Sequence, residues 1–140
     1  MSQCTPDLVL TGGRGLGPDV SGPALVSSQG FGVRYDLSPE TGIISNKNHD
    51  LFGQSVAGHI LVFTRPKGGV AASWSLADLQ SRGMAPLGIV FQRASPIFAQ
   101  GALFAGLSLL HRLEEDPCTC IRTGDHLSLF PGEGRIEVYR

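Results

Sequence analysis

The residues best placed for chemistry lie in one short loop, from Lys67 to Ser73. It reads KGGVAAS and follows an apolar run, Ile60 to Phe63, that is typical of a buried strand. Gly68 and Gly69 let the backbone approach a ligand closely, while Lys67 and the start of the following helix add positive potential. The pattern indicates a site for a small anion such as a carboxylate. It also fits an ordinary strand-to-helix connection.

Ser73 is the one candidate nucleophile or base in this loop. A serine hydroxyl is a weak base in water, so this role requires electropositive surroundings from which water is excluded. No histidine or carboxylate lies nearby in the sequence to activate it as in a catalytic triad. Ser73 could instead be a spacer or a helix cap, although Ser75, with Asp78 three residues later, is the better N-cap candidate.

Cys118 and Cys120 form a C-x-C pair beside Pro117 that could chelate a metal. A structural zinc site needs about four ligands, and only Cys4 and four scattered histidines could complete one. The alternative is a pair of small residues in a loop before a strand. We expect this chain to bind neither a metal ion nor an iron–sulfur cluster.

Composition narrows the class of protein. The 140 residues are enough for one domain, and we expect a single one over residues 1–140. A net charge of −1 with scattered basic residues argues against nucleic acid as a partner. No secretory leader and no apolar run near ~20 residues is visible, so we expect no membrane and a cytoplasmic location. Hydrophobic residues at 41% and charged residues at 16% indicate either a dense core or a surface that a partner covers.

The elements that must position the loop alternate between strands and helices in the middle of the chain. After the loop and its helix, which Gly83 can close, Leu87 to Phe91 is typical of a buried strand. Pro96 then opens a second helix that is apolar on nearly every face as far as Leu110, so this helix is either sandwiched or meets a partner.

Antiparallel strands are expected towards both ends. Two short β-type runs flank a glycine-rich stretch, Gly12 to Pro18, which lacks the register of a phosphate-binding loop and is interpreted as a wide turn. The tail has the pattern of a hairpin. The strand segments outside the central unit are Leu8 to Thr11, Ala24 to Ser27, Leu127 to Phe130 and Arg135 to Tyr139. Together the elements predict an α/β domain with a layered β/β/α architecture.

Several blocks in a fixed order resemble one known family. They are DLSPETGII from Asp36, HDLFGQSVAG from His49, LVF from Leu61, the glycine-bearing loop, and ASPI from Ala94 with Gly101. Over about Leu8 to Gly106 the chain is similar to the small subunit of aconitase X enzymes. The resemblance implies a swivelling three-layer β/β/α domain like the last, C-terminal domain of aconitase.

The resemblance also implies partners and an activity. A larger aconitase X subunit with cysteine ligands would carry an iron–sulfur cluster, and the small subunit would close over it and be active only in that complex. Family members include cis-3-hydroxy-L-proline dehydratase and phosphomevalonate dehydratase. We therefore expect the subunit of a hydro-lyase that dehydrates a small hydroxy acid, and cis-3-hydroxy-L-proline is favoured because the loop is poor in cations and hydroxyls. The alternatives are a phosphomevalonate dehydratase small subunit and a non-catalytic swivel domain that binds an anion or regulates.

The loop departs from the usual family pattern, which is close to R-G-S-x-S-G-S. Two hydroxyl positions are occupied by Gly69 and Ala71, and only the last serine, Ser73, remains. The expected mechanism has the partner's cluster as Lewis acid on the leaving hydroxyl, the Lys67–Gly69 loop on the carboxylate, and Ser73 as the base that takes the α-proton. If Ser73 is not the base, the large subunit must supply it.

Overall fold

The computed structural model describes residues 5–32, 36–38, 40–66, 77–94 and 96–140, with the backbone alone at 96–98 and 104. Within these residues the strands form one seven-stranded mixed sheet in the order β1-β7-β6-β2-β3-β4-β5. The strands are β1 Leu8–Thr11, β2 Val20–Val26, β3 Ile60–Phe63, β4 Gly88–Phe91, β5 Ser108–Leu110, β6 His126–Phe130 and β7 Arg135–Tyr139.

Strand β2 belongs to both halves of this sheet. Its first residues, Val20 to Pro23, pair antiparallel with β6, and its last residues, Ala24 to Val26, pair parallel with β3. One half is therefore an antiparallel ribbon of β1, β7, β6 and β2, and the other is a parallel sheet of β2 to β5.

The glycine-rich stretch after β1 connects the two edges of the sheet. It connects β1 to β2, as predicted, but Leu16 also forms an antiparallel bridge with Leu109 of β5, and Gly12 forms one with Leu113. The segment that follows one edge strand thus covers the opposite edge, which gives a half-barrel. A Cβ on Gly15 would overlap the Leu109 carbonyl oxygen, so glycine is required for this close approach.

The parallel strands are buried on both faces, as their continuous apolar sequences predict. Along β3, Ile60 and Val62 face the inside of the half-barrel with Leu127 and Ile136 of the antiparallel ribbon. The alternate residues Leu61 and Phe63 face a second core, which includes Leu79, Ala102 and Ala105 from the helical layer. This arrangement of ribbon, parallel sheet and helices confirms the α/β prediction.

Helix α1, Pro96–Phe104, begins where the sequence predicts but ends earlier. The prediction of a helix as far as Leu110 was wrong, because Ser108–Leu110 is strand β5, parallel to β4. Gly106 adopts a left-handed φ of 72°. Its N–H donates to the Leu103 carbonyl (3.1 Å), and the next N–H donates to Ala102 (2.9 Å), which closes the helix.

Shorter helical segments also occur in the described chain, among them a 3-10 turn at Pro131–Glu133 between β6 and β7. Residues 77–81 are helical, and Gly83, with φ of 72°, ends that helix as predicted. Another segment, α2, covers Pro117–Cys120, and its N-cap Asp116 accepts a hydrogen bond from the Cys118 N–H at 2.9 Å. Across the described ranges, no helix has the length and apolar character that crossing a bilayer requires.

Candidate functional site

The four residues predicted to act in the site, Lys67, Gly68, Gly69 and Ser73, lie outside the described residues. Their roles therefore stay predictions. The structure does show the segment that leads to their loop: residues 64–66 follow β3, and Pro66 forms a parallel bridge with Phe31. This segment lies at the carboxyl edge of the parallel sheet, where ligands collect in open α/β sheets.

A cleft of about 700 Å³ opens at that same edge. Its walls are the short segments that leave three successive parallel strands, β2, β3 and β4. The lining residues are Ser28, Gln29, Gly30, Thr64, Arg65, Gln92 and Arg93. All of these residues except Gly30 have polar side chains, and the cleft is open enough to admit a small metabolite.

Two arginines, Arg65 and Arg93, give the cleft its charge, and no carboxylate is among the described lining residues. A guanidinium group binds carboxylate or phosphate oxygens through paired hydrogen bonds, so this pair favours an anionic ligand. Sequence reasoning missed both residues. The sequence does contain a pattern that could have revealed them. An arginine stands at the second position after each of three successive parallel strands: Arg65 after β3, Arg93 after β4 and Arg112 after β5.

The wall that follows β2 is held by a hydrogen-bond network around the buried Ser27. Ser27 is 2% exposed, and its Oγ donates to Asp50 Oδ1 at 2.6 Å. The same Oγ accepts from the Gln29 N–H at 3.0 Å, and the Asp50 N–H donates to Gln29 Oε1 at 2.9 Å. Each member satisfies another, so Gln29 is presented to the cleft in a fixed conformation.

The buried ring of His49 lies behind this wall and hydrogen-bonds to its backbone. Its Nδ1 accepts from the Leu51 N–H at 3.2 Å, so Nε2 carries the proton and donates to the Gly30 carbonyl oxygen at 3.1 Å. The ring stands edge-on to Phe63 at 5.6 Å between centroids. His49 is buried and is not among the described lining residues of the cleft, so it supports the Gly30 backbone and is not a base that faces the ligand.

The wall that follows β4 is fixed from the side of β5. His111 Nδ1 accepts from the Ala94 N–H at 3.0 Å, and the Arg112 N–H donates to the Gln92 carbonyl oxygen at 3.1 Å. Burial lowers the pKa of His111, and the charges of Arg112 and Arg93 lower it further. Among the described residues, Arg112 is the one non-glycine residue with a positive φ, 56°.

The C-x-C pair lies in helix α2. The interpretation of the pair as small residues in a loop was therefore wrong about its secondary structure. Burial, helped by Asp116, raises the pKa of Cys118 to about 12; the pKa of Cys120 is also raised, by burial and by its hydrogen bond to Glu115. Protonated thiols are poor metal ligands. Within the described ranges, no three His, Cys, Asp or Glu side chains are grouped as metal ligands.

Comparison with known proteins identifies the family. The model of the aconitase X swivel domain matches residues 10–138. The chain belongs to the aconitase X swivel domain family. The resemblance seen in the sequence is confirmed, and so is the prediction of a small subunit of an aconitase X-type hydro-lyase.

Individual relatives agree with this assignment. The phosphomevalonate dehydratase small subunit of Methanocella arvoryzae is 34% identical over 92% of this chain and 98% of that protein. The subunit of the same name from Methanopyrus kandleri is 36% identical over 85% and 87%. The crystal structure of Thermococcus kodakaraensis aconitase X in its holo form superposes with a TM-score of 0.88 at 28% identity, covering 95% of this chain and 99% of that chain. These names agree with the alternative drawn from the sequence better than with cis-3-hydroxy-L-proline.

Proposed function

We propose that this chain is the small subunit of a phosphomevalonate dehydratase that acts with a larger, cluster-binding subunit in the cytoplasm. One observation in the structure carries the choice of substrate: Arg65 and Arg93 face a cleft whose described lining residues include no carboxylate. The sequence argument for cis-3-hydroxy-L-proline rested on a loop poor in cations. It overlooked these two arginines, which come from the ends of β3 and β4. The names of the relatives support the same substrate.

Phosphomevalonate carries a phosphate and a carboxylate, so its binding requires two anion sites. We assign the phosphate to Arg65 and Arg93, because two guanidinium groups match a dianion better than the single lysine of the loop does. The carboxylate is assigned to the loop of Lys67, Gly68 and Gly69. This loop begins two residues after Arg65 in the sequence, so we expect the two sites at the same edge of the sheet.

Dehydration removes a hydroxyl that is β to the carboxylate together with a proton from the carbon between them, and a carbon–carbon double bond forms. We assign Ser73 as the base that accepts this proton, with nearby helix amides stabilising the alkoxide. An iron–sulfur cluster in the large subunit would supply Lewis acidity for the leaving hydroxyl.

Co-expression with the cluster-binding subunit of the same organism tests this function. After anaerobic reconstitution, the purified complex is given phosphomevalonate or cis-3-hydroxy-L-proline, and the unsaturated product is measured. We expect turnover of phosphomevalonate, with each subunit inactive alone. Turnover of cis-3-hydroxy-L-proline alone would overturn the assignment of the substrate. A folded complex that turns over neither compound would favour the non-catalytic, regulatory swivel domain.

The arginine pair can be tested in the same complex. Arg65→Gln and Arg93→Gln should each raise KM for phosphomevalonate by about 10- to 100-fold, the scale of a charge-assisted hydrogen bond. Arg122→Gln is the matched control, because Arg122 is exposed in the connection from α2 to β6. Equal KM values for all three variants would remove the pair from the phosphate site.

A further inference from the structure

The backbone after β4 is held from two sides, and a side chain completes the second side. On the side of β3, the Gln92 N–H donates to the Phe63 carbonyl (3.2 Å) and the Arg93 N–H donates to Thr64 (3.3 Å). The Ala94 N–H turns towards β5 instead, where His111 Nδ1 accepts it at 3.0 Å. The residue whose backbone is fixed between these bonds is Arg93, which lines the cleft.

This bond exists in one protonation state only. An Nδ1 that accepts a hydrogen bond carries no proton, so the ring is neutral with its proton on Nε2. A proton added to Nδ1 would turn the acceptor into a donor and break the bond to Ala94. It would also add a third positive charge beside two existing ones. These are Arg93, which follows β4, and Arg112, which follows His111 itself, and both charges disfavour protonation of the ring.

We propose that His111 is a positioning residue: its neutral ring holds the Ala94 N–H and thereby fixes Arg93 in the anion cleft. The inference rests on the proposed function in assigning an anion to Arg93. It adds a determinant of binding that comes from β5, a strand whose end contributes no lining residue among those described. Anion binding should therefore weaken on the acidic side, where protonation of His111 releases the Ala94 N–H.

Sulfate is the probe for this proposal, because it remains a dianion between pH 5.5 and 7.5, whereas phosphate itself titrates there. The full chain is labelled with nitrogen-15 and titrated with sulfate at both pH values, with the Arg93 amide followed by NMR. Three variants are compared with the native chain. His111→Leu removes the acceptor, and His111→Asn keeps an oxygen near the position of Nδ1 without titrating. His126→Asn changes an exposed histidine on β6 as a control.

We expect His111→Leu to weaken sulfate binding about ten-fold at pH 7.5, the scale of one lost hydrogen bond. His111→Asn should bind as the native chain does at pH 7.5 and keep that affinity at pH 5.5, whereas the native chain and His126→Asn should weaken. In the assembled enzyme, His111→Leu should raise KM for phosphomevalonate with kcat nearly unchanged.

Three results would overturn the proposal: native affinity in His111→Leu, no sulfate binding by the native chain, or tighter native binding at pH 5.5, which would make the imidazolium itself a ligand. If His111→Leu does not fold, the pH comparison of His111→Asn with the native chain decides. The sulfate measurements do not depend on the substrate. A complex that fails to dehydrate phosphomevalonate while the sulfate pattern holds would refute the proposed function alone.

Discussion

Leu16 and Leu109 exchange two backbone hydrogen bonds, from the Leu16 N–H to the Leu109 carbonyl at 2.8 Å and back at 2.9 Å. This pair joins the stretch after the first edge strand to β5, the strand at the other edge of the sheet. An unpaired edge would expose a row of N–H and carbonyl groups. The half-barrel therefore protects the β5 edge with a segment of its own chain.

Gly15→Ala should destabilise the fold, because its Cβ would overlap the Leu109 carbonyl oxygen and approach Leu110 Cγ to 3.1 Å. We expect a loss of about 1–3 kcal/mol in the free energy of unfolding, the usual cost of overpacking, measured by chemical denaturation. Gly13→Ala is the matched control, since nothing lies within 4 Å of its added Cβ. Equal stability of the two variants would show that the chain at Gly15 does not pack closely against β5.

Leu103→Asp tests whether α1 meets the large subunit. Leu103 is 57% exposed, whereas its neighbour Ala102 is 0% exposed, so among the described side chains of α1 Ala102 is buried and Leu103 is an apolar residue open to solvent. We expect Leu103→Asp to leave circular dichroism unchanged and to weaken co-purification with the large subunit. Ala102→Asp should unfold the domain, because it buries an unpaired charge. Normal co-purification of Leu103→Asp would place the interface elsewhere.

Ser73→Ala tests the proposed base in the assembled enzyme. We expect kcat to fall by about 10² or more, the usual scale for loss of a general base, with KM and melting temperature nearly unchanged. Ser75→Ala should do the reverse, lowering stability by about 1 kcal/mol with little effect on turnover, because it is the predicted helix cap. Near-normal turnover in Ser73→Ala would move the base to the large subunit.

The lowered pKa of His111 also predicts a pH dependence of stability. As the pH falls below 6.5, the unfolded chain takes up a proton on this residue while the folded chain resists it. The free energy of unfolding should therefore decrease from pH 7.5 to 5.5. It should decrease less in His111→Asn, and urea unfolding at the two pH values measures the difference. An equal decrease in both proteins would show that the folded and unfolded chains bind this proton alike.

Much of the fold could be predicted from local pattern. The predicted bounds of β1 and β3 agree with the structure, and the start of α1 at Pro96 and the closing hairpin were also recognised. Strand β5 was missed, since its apolar residues continue those of α1 and only the three residues Ala105, Gly106 and Leu107 separate the two elements. Its strand conformation depends on pairing with β4, which periodicity within one segment does not reveal.

The site was harder to predict because its residues meet only in three dimensions. Loop composition drew attention to Lys67 and Ser73, whereas the cleft owes its charge to Arg65 and Arg93, each of which looks like an ordinary polar residue after a strand. The alignment of β3 with β4 brings the two guanidinium groups to one edge. The contact between His111 and the Ala94 N–H could not be predicted either, because it depends on β5 being a strand beside β4.

The pairing of β1 with β7 has a consequence for how the chain folds. Leu8 lies opposite Val138 and Thr11 lies opposite Arg135, so the first strand of the sheet is completed by the last. Contacts between such distant residues carry a large loop-closure entropy and slow the folding rate. During synthesis on the ribosome, β1 stays unpaired until β7 has been made. The β6–β7 hairpin, in contrast, can form locally as soon as both of its strands are available. We therefore expect a late-docking first strand, whose apolar residues need protection during synthesis.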